Sequence, residues 1–148
     1  MTRKADIQDL DQLTNLFDQY VVFYKKPTNF KKHYSYLKER LENNEAVIFV
    51  SYEEEKPEKL NGFVLNYITF SSLALNKIII LNDIFVDVSA RKKGVGEELI
   101  QKTIDFAKEI KANDVRLRTA KNNMIAQKLY LKMGFVREDF LHSYDLTL

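Results

Sequence analysis

The stretch richest in chemistry is Leu81-Asn82-Asp83-Ile84-Phe85-Val86-Asp87-Val88-Ser89-Ala90-Arg91-Lys92-Lys93-Gly94-Val95-Gly96. An apolar run feeds a basic, glycine-bearing turn, and the turn opens a helix. N–H groups at a helix N-terminus lack intrahelical acceptors and carry partial positive charge, so such a turn can hold phosphate oxygens. Gly94 and Gly96 remove side chains where a pyrophosphate would touch the backbone. Arg91, Lys92 and Lys93 add countercharge. Neither nucleotide signature fits. Leu99 stands where the third glycine of G-x-G-x-x-G belongs, and no G-K-[ST] follows. A lone Gly-x-Gly is a weak signal, and three basic residues in a row are commonly just a solvated face.

The elements that must position this turn follow from periodicity. Thr2 to Ala5 reads as a short strand. Asp6 caps a first helix, with Asp9 at its third position. Leu10, Leu13, Phe17, Tyr20, Val21 and Tyr24 then recur at helical steps to about Lys25, and Pro27 closes the run. Thr28 or Asn29 caps a second helix bearing Phe30, Tyr34, Leu37 and Leu41. Ala46 to Tyr52 is rich in β-branched and aromatic residues and reads as a strand. Residues 53–59 form a solvated hairpin loop, and Gly62 to Ile68 returns. Lys77 to Val88 is a third strand, apolar enough in its first half to lie mid-sheet. Val95 to Lys111 is a helix, Val115 to Thr119 a strand, and Met124 to Met133 a helix stopped by Gly134. Phe135 to Leu148 holds one or two more strands. The expectation is one α+β domain over 1–148, with a mixed, mostly antiparallel sheet of about six or seven strands and about four helices.

Composition narrows the chemistry. The 148 residues are 45% hydrophobic and 30% charged, a globular profile. Lys plus Arg is 23 against 21 Asp plus Glu, and a net +2 is too mild to argue for nucleic acid. There is no cysteine, which removes disulfides, thiolate metal sites and a cysteine nucleophile. His33 and His142 are the two histidines, so no all-histidine zinc site is expected, and no metal. The N-terminus has early charges and no apolar stretch after them, and the longest apolar run, Ile78 to Leu81, is far short of a membrane span. The default is a cytoplasmic protein without membrane or nucleic-acid partners.

Arg91-x-x-Gly94-x-Gly96, after a strand ending Ile84-Phe85-Val86, resembles the acetyl-CoA signature of the GNAT superfamily of N-acetyltransferases. Asn123-x-x-Ala126-x-x-Leu129-Tyr130-x-x-x-Gly134-Phe135 resembles its second motif, at the right distance. The likeness covers nearly the whole chain. Tyr20-x-x-Phe23-Tyr24-x-x-Pro27, Phe70-Ser71-Ser72, Leu81-Asn82-Asp83 and Thr119-Ala120 are similar to the branch holding the yeast histone, polyamine and D-amino-acid N-acetyltransferases. The layout is also similar to that of spermidine/spermine acetyltransferases. Those polyamine enzymes carry two adjacent acids on the central strand; here Asn82 replaces the first.

The resemblance implies transfer of acetyl from acetyl-CoA to a primary amine by direct attack in a ternary complex. The acceptor would be a small amine or amino acid first and a protein lysine second, and the protein a homodimer. It implies that Ile84, Phe85 and Val86 serve acetyl-CoA, with the backbones of Ile84 and Val86 paired to pantetheine as an added strand. Arg91, Lys92, Lys93, Gly94, Val95, Gly96 and Glu97 form the pyrophosphate turn, and Asn123 and Ala126 also serve the cofactor. Tyr130 is the candidate general acid, because a phenol with an ordinary pKa near ~10 is protonated at neutral pH and can protonate a departing thiolate. It reads otherwise as a core tyrosine. Asp83 is base, ammonium anchor or a buried structural carboxylate. Asn123 is also a plain helix cap, and Glu97 and Glu98 complement the helix dipole. Tyr20, Tyr24 and Tyr36 line an acceptor pocket or pack in the core, and Asn82 adjoins it. Aromatic faces suit ammonium groups. His33 reads as a surface histidine. The competing function is a non-catalytic acyl-CoA-binding regulatory module.

Overall fold

The computed structural model describes residues 1–148, and its contacts fall into two compact units, Met1–Arg118 and Thr119–Leu148. The first holds β1 (Thr2–Lys4), α1 (Leu10–Phe23), α2 (Phe30–Glu42), β2 (Val47–Glu53), β3 (Lys56–Ser71), β4 (Asn76–Val86), α3 (Val95–Glu109) and β5 (Val115–Arg116). The second holds α4 (Met124–Lys132).

The five strands form one sheet in the order β1-β2-β3-β4-β5. The first three pairings are antiparallel; β4 and β5 are parallel and meet at Ile79↔Val115 and Ile80↔Arg116. Phe63 and Leu65 of β3 cluster with Leu13 and Leu16 of α1 and Leu37 of α2. That face of the sheet is therefore covered by the first two helices. Asn66, the next residue along, points the other way and donates to Thr103 of α3 at 3.1 Å. The α+β layout and four helices follow the sequence reading, but the sheet is smaller than expected.

The shortfall lies at the C-terminal end. No strand forms over 135–148, and β5 is two residues rather than five. Local bonds hold that tail instead: Arg137 Nε donates to Asp139 at 2.9 Å, and the Phe140 N–H donates to the Glu138 carboxylate. Such short-range side-chain bonds compete with a ladder. The hairpin loop is also tighter than the acidic run suggested. Glu53 pairs with Lys56, so residues 54–55 turn the chain, and Pro57 falls where the β2–β3 register is irregular. A proline is tolerated in a strand at such an irregularity. At the start of α1 the expected cap is present: Asp6 and Asp9 form a reciprocal capping box. The first turn, Ile7–Asp9, is a 3-10 turn that runs into α1.

Candidate active site

One extra residue in β4 decides which side chains face α1 and α2. Cross-strand partners share a face of a sheet, and a strand alternates faces. Leu65 pairs with Asp83, whereas Asn66 pairs with Leu81, so Asn82 has no partner and is a bulge. Counting back from Ile80, which pairs with Tyr67, plain alternation would bring Asn82 and Ile84 to the α1 face. The bulge brings Asp83 and Phe85 there instead.

Asp83 is half-buried, less enclosed than a place after Ile78–Leu81 suggested. Both its oxygens are engaged. The Tyr20 hydroxyl donates to Oδ1 at 2.6 Å, and the Asn82 amide donates to Oδ2 at 2.9 Å. Tyr20 comes from α1, one helical turn before the exposed Tyr24, and their rings meet edge-on at 4.9 Å. The Tyr20 ring also lies edge-on to Phe63 and Phe85. A carboxylate held by a phenol and an amide inside an aromatic wall is a fitting seat for an ammonium group.

Tyr67 belongs to this face and was not singled out in the sequence. Its hydroxyl lies 2.5 Å from that of Tyr36 on α2. Burial pushes the Tyr67 phenol well up, and the hydrogen bond to Tyr36, the Tyr36 charge and the Asp83 charge push it further. No signal in the sequence marks it, because nothing links position 67 to 36 or 83 before the chain is folded.

The opposite edge of β4 has a different chemistry. The Asp87 N–H donates to Asn61 O at 2.8 Å, towards β3. By antiparallel alternation Phe85 also bonds towards β3, and the backbone groups of Ile84 and Val86 point away from it. On that side pairing with β5 stops at Ile80, so the edge beyond has no ladder neighbour. Of the three strand residues assigned to acetyl-CoA, Ile84 and Val86 thus offer main-chain groups, while the Phe85 side chain packs in the core. The Val86 carbonyl accepts from Arg91 Nε at 3.0 Å.

Past Val86 the chain makes a short 3-10 turn, Val88–Ala90, capped by the Asp87 carboxylate. The bonds from Ser89 hold that carboxyl below its ordinary value. Lys92 and Gly94 then adopt left-handed conformations, φ 61° and 81°. Gly94 is the N-cap of α3 and supplies no side-chain cap. Its own carbonyl accepts from Glu98, so this is the first intrahelical bond of α3, and the N–H groups of Val95 and Gly96 precede it. A Cβ built on Gly94 would meet nothing within 4 Å. An uncapped, unobstructed helix N-terminus with Lys92 and Lys93 exposed beside it fits a pyrophosphate. The Arg91 guanidinium differs from the expectation of a free phosphate ligand. It sits over the rings of Phe85 and Phe23 at 5.5 Å and 5.9 Å and ties the end of β4 to its turn.

In the second unit Asn123 caps α4, its Oδ1 accepting the Ala126 N–H at 3.3 Å. Tyr130 is buried, and its ring lies 5.9 Å from Phe135. His33 is not the surface residue expected. Its Nδ1 lies 2.8 Å from Asp18, which also accepts the Asn29 N–H and so fixes the start of α2. No cluster of three or more His, Cys, Asp or Glu is placed to hold a metal, and no helix is long and apolar enough to cross a membrane.

Comparison with known proteins agrees with this geometry. The model of the acetyltransferase (GNAT) family matches residues 10–135. The uncharacterized N-acetyltransferase YhfO of Bacillus subtilis is 38% identical over 146 residues, 99% of this chain and 96% of its own. A probable acetyltransferase of Haemophilus influenzae is 30% identical over 119 residues, 80% of each chain. The crystal structure of a probable acetyltransferase matches with a TM-score of 0.95 at 34% identity, over 100% of this chain and 97% of that one. The open strand edge, the uncapped α3 N-terminus and this kinship agree: the chain belongs to the acetyltransferase (GNAT) family and has its fold.

Proposed function

We propose that this protein transfers the acetyl group of acetyl-CoA to a primary amine by direct attack. The observation that carries the reading is the two-sidedness of β4. The edge of β4 at Ile84 and Val86, beyond the last β5 pair, leads to the helix N-terminus at Gly94–Gly96, and one residue earlier Asp83 faces Tyr20 of α1. Pantetheine amides would extend the sheet along the open edge, with the pyrophosphate on the N–H groups of Val95 and Gly96. A backbone N–H of this edge holds the thioester oxygen as charge develops on it.

The acceptor nitrogen is held at Asp83. It loses a proton to that carboxylate, directly or through water, and its lone pair attacks the thioester carbon. The C–N bond forms, the C–S bond breaks, and the CoA thiolate takes a proton, a role the family resemblance gives to Tyr130. No acyl-enzyme is required, and the absence of cysteine favours the direct route. The single acid at 82–83 favours a monoamine or amino acid over a polyamine, with a protein lysine as second choice. The Tyr20-x-x-Phe23-Tyr24-x-x-Pro27 motif supports, in this reading, a likeness to the branch that includes the yeast histone, polyamine and D-amino-acid N-acetyltransferases.

CoA thiol release with acetyl-CoA and a panel of primary amines tests this. Saturable release with at least one amine is expected. Tight acetyl-CoA binding with no turnover on any amine or on lysine peptides would overturn it in favour of a regulatory binding module.

A further inference from the structure

The acceptor seat at Asp83 opens beside a run of positive charge with no counterweight. Between Gln19 and Lys38 there are five lysines and no Asp or Glu. Lys38 pairs with Glu42 at 3.8 Å, but no ion pair occupies Lys25, Lys26, Lys31 or Lys32, and all four are exposed. Asp18, the carboxylate at the border of the run, is taken by His33 and by the Asn29 N–H.

The four lysines flank the connection between α1 and α2, and backbone bonds hold that connection in place. The N–H groups of Lys25 and Lys26 donate to Val22 and Val21 at 2.9 Å and 3.0 Å and close the end of α1. Asn29 is tied to Asp18 and caps α2 by accepting the Lys32 N–H at 3.2 Å. Phe23 and Tyr24 at the start of the connection and Phe30 at its end are exposed. Large apolar groups gathered at the surface and rimmed by polar ones mark a contact site. The Tyr24 ring lies 4.9 Å from that of Tyr20, whose hydroxyl donates to Asp83. One aromatic wall therefore leads from the amine seat to the lysines. An extended peptide rises about 3.3 Å per residue, so a chain with its amine at Asp83 meets Lys25 and Lys26 about three to five residues away.

We propose that the α1–α2 connection docks an acidic peptide whose free amine enters the pocket at Asp83. Carboxylates of the peptide meet the four lysines, and its apolar groups lie on Phe23, Tyr24 and Phe30. A peptide with one amine satisfies the single acid at 82–83, and its length reaches what a small amine cannot. A nucleic acid would also meet the lysines, but it brings no aliphatic amine to Asp83, and that carboxylate repels phosphate. This rests on the acetyl-transfer reading for its reaction and names the substrate class within it. The lysines bind and touch no reacting atom.

Heptapeptides with one primary amine test it: Ala-Gly-Gly-Glu-Glu-Glu-Gly amide and the same chain with Gln or Arg in place of Glu. A second set, blocked by N-acetylation, carries the amine on one lysine three residues before the same triplets. Each is followed by CoA thiol release from acetyl-CoA and by calorimetric titration into CoA-saturated protein, at about 50 mM and about 300 mM NaCl. n-Propylamine is the acceptor too short to reach the lysines. In at least one set we expect the Glu peptide to exceed its Gln twin about tenfold in kcat/KM and affinity at low salt. That is the sum of several exposed charge pairs, each weak alone. The Arg peptide should be poorer still, and high salt should shrink the gap to about twofold. Replacing all four lysines by Gln should erase it and leave the propylamine constants near wild type. If that variant does not fold, Lys25→Gln/Lys26→Gln and Lys31→Gln/Lys32→Gln each carry the comparison. Equal use of the Glu and Gln peptides in both sets, or a preference that survives in the variants, overturns the proposal. So does a single-stranded oligonucleotide that binds more tightly than the Glu peptide. The expected binding order without thiol release supports docking and overturns acetyl transfer instead. Thiol release from propylamine with no peptide preference does the reverse.

Discussion

The two flanks of β4 solve recognition by different means. The flank we assign to acetyl-CoA uses backbone. Its working groups are main-chain atoms of Ile84 and Val86 and the N–H groups of Val95 and Gly96, made available by an early end to β4–β5 pairing and by a glycine N-cap. The flank we assign to the acceptor uses side chains drawn from four elements: Tyr20 of α1, Tyr36 of α2, Tyr67 of β3 and Asp83 of β4. Backbone groups are identical in every residue, so the first flank tolerates change almost anywhere except at its glycines. Side-chain positions carry their chemistry individually, so the second flank can be retuned one residue at a time. A single bulge residue, Asn82, separates the two.

Tyr130, the proposed proton donor to the thiolate, should matter to rate and not to binding. Tyr130→Phe keeps the ring and its packing on Phe135 and removes the proton. A kcat loss on the order of 10²–10⁴-fold is expected, with acetyl-CoA affinity nearly intact. Steady-state kinetics beside a thermal-shift titration would show it, and an undiminished kcat would return Tyr130 to the core.

Gly96→Asp attacks the backbone flank alone. A carboxylate set against a pyrophosphate costs several kcal/mol, so acetyl-CoA should bind on the order of 10²-fold more weakly or worse. The ligand-induced rise in Tm, which follows from binding only the folded state, should vanish. The unliganded Tm should change little, because the site is at a helix end. An unchanged ligand shift would remove the pyrophosphate from this turn.

Asp83→Asn attacks the side-chain flank alone. It keeps the shape and removes the charge. We expect roughly 10–10²-fold lower kcat/KM for the amine and an unchanged Tm shift with acetyl-CoA. If Asp83 only holds structure, the same change lowers the unliganded Tm and leaves the activity of the folded fraction intact. One melting curve and one amine titration separate these outcomes.

The same contrast explains what the sequence made legible. Arg91-x-x-Gly94-x-Gly96 could be read because a phosphate turn needs small residues at short, fixed spacing, and the expected helix start at Val95 is where α3 begins. The Asp6–Asp9 cap of the first helix was legible for the same reason. Tyr36 and Tyr67 are thirty-one residues apart, and their contact exists only after α2 packs on β3. Asp83 was singled out, but its face was not, since alternation alone puts Asn82 there and a bulge has no local signature in this stretch. Residues 135–148 misled in the opposite direction. Their apolar and aromatic content is strand-like, yet short-range bonds at Arg137–Asp139 and Glu138–Phe140 hold the backbone locally.

The smallest expected effect tests whether the side-chain flank can be loosened from a distance. Arg3 of β1 makes two bonds of 2.7 Å to the carboxylate of Asp9, and Asp9 accepts the Asp6 N–H that completes the cap before α1. α1 carries Tyr20, so this pair anchors one end of the element that holds Asp83. Burial pushes the Asp9 carboxyl up, but the Arg3 hydrogen bonds, the Asp6 N–H and the Arg3 charge together outweigh it, and the group lies below its ordinary 3.8. A carboxyl depressed on folding adds stability that is fully present above its unfolded value and is lost as pH falls through the folded one. Wild type should therefore hold this contribution at neutral pH and shed it only in acid below about 3.8. In Arg3→Met, burial acts on Asp9 with less opposition, so less stability is left to lose in acid and the two proteins' melting temperatures should converge as pH falls below about 3.8. Because Arg3 is partly exposed, the cost at neutral pH should be only about 1 kcal/mol after screening, or about 3 °C in Tm. Acetyl-CoA affinity should not move, while KM for the amine should rise slightly through Tyr20. Melting curves from pH 7 to pH 3 on both proteins, with one amine titration, would show it. An equal loss of acetyl-CoA affinity would mean that the two flanks of β4 are not energetically separate.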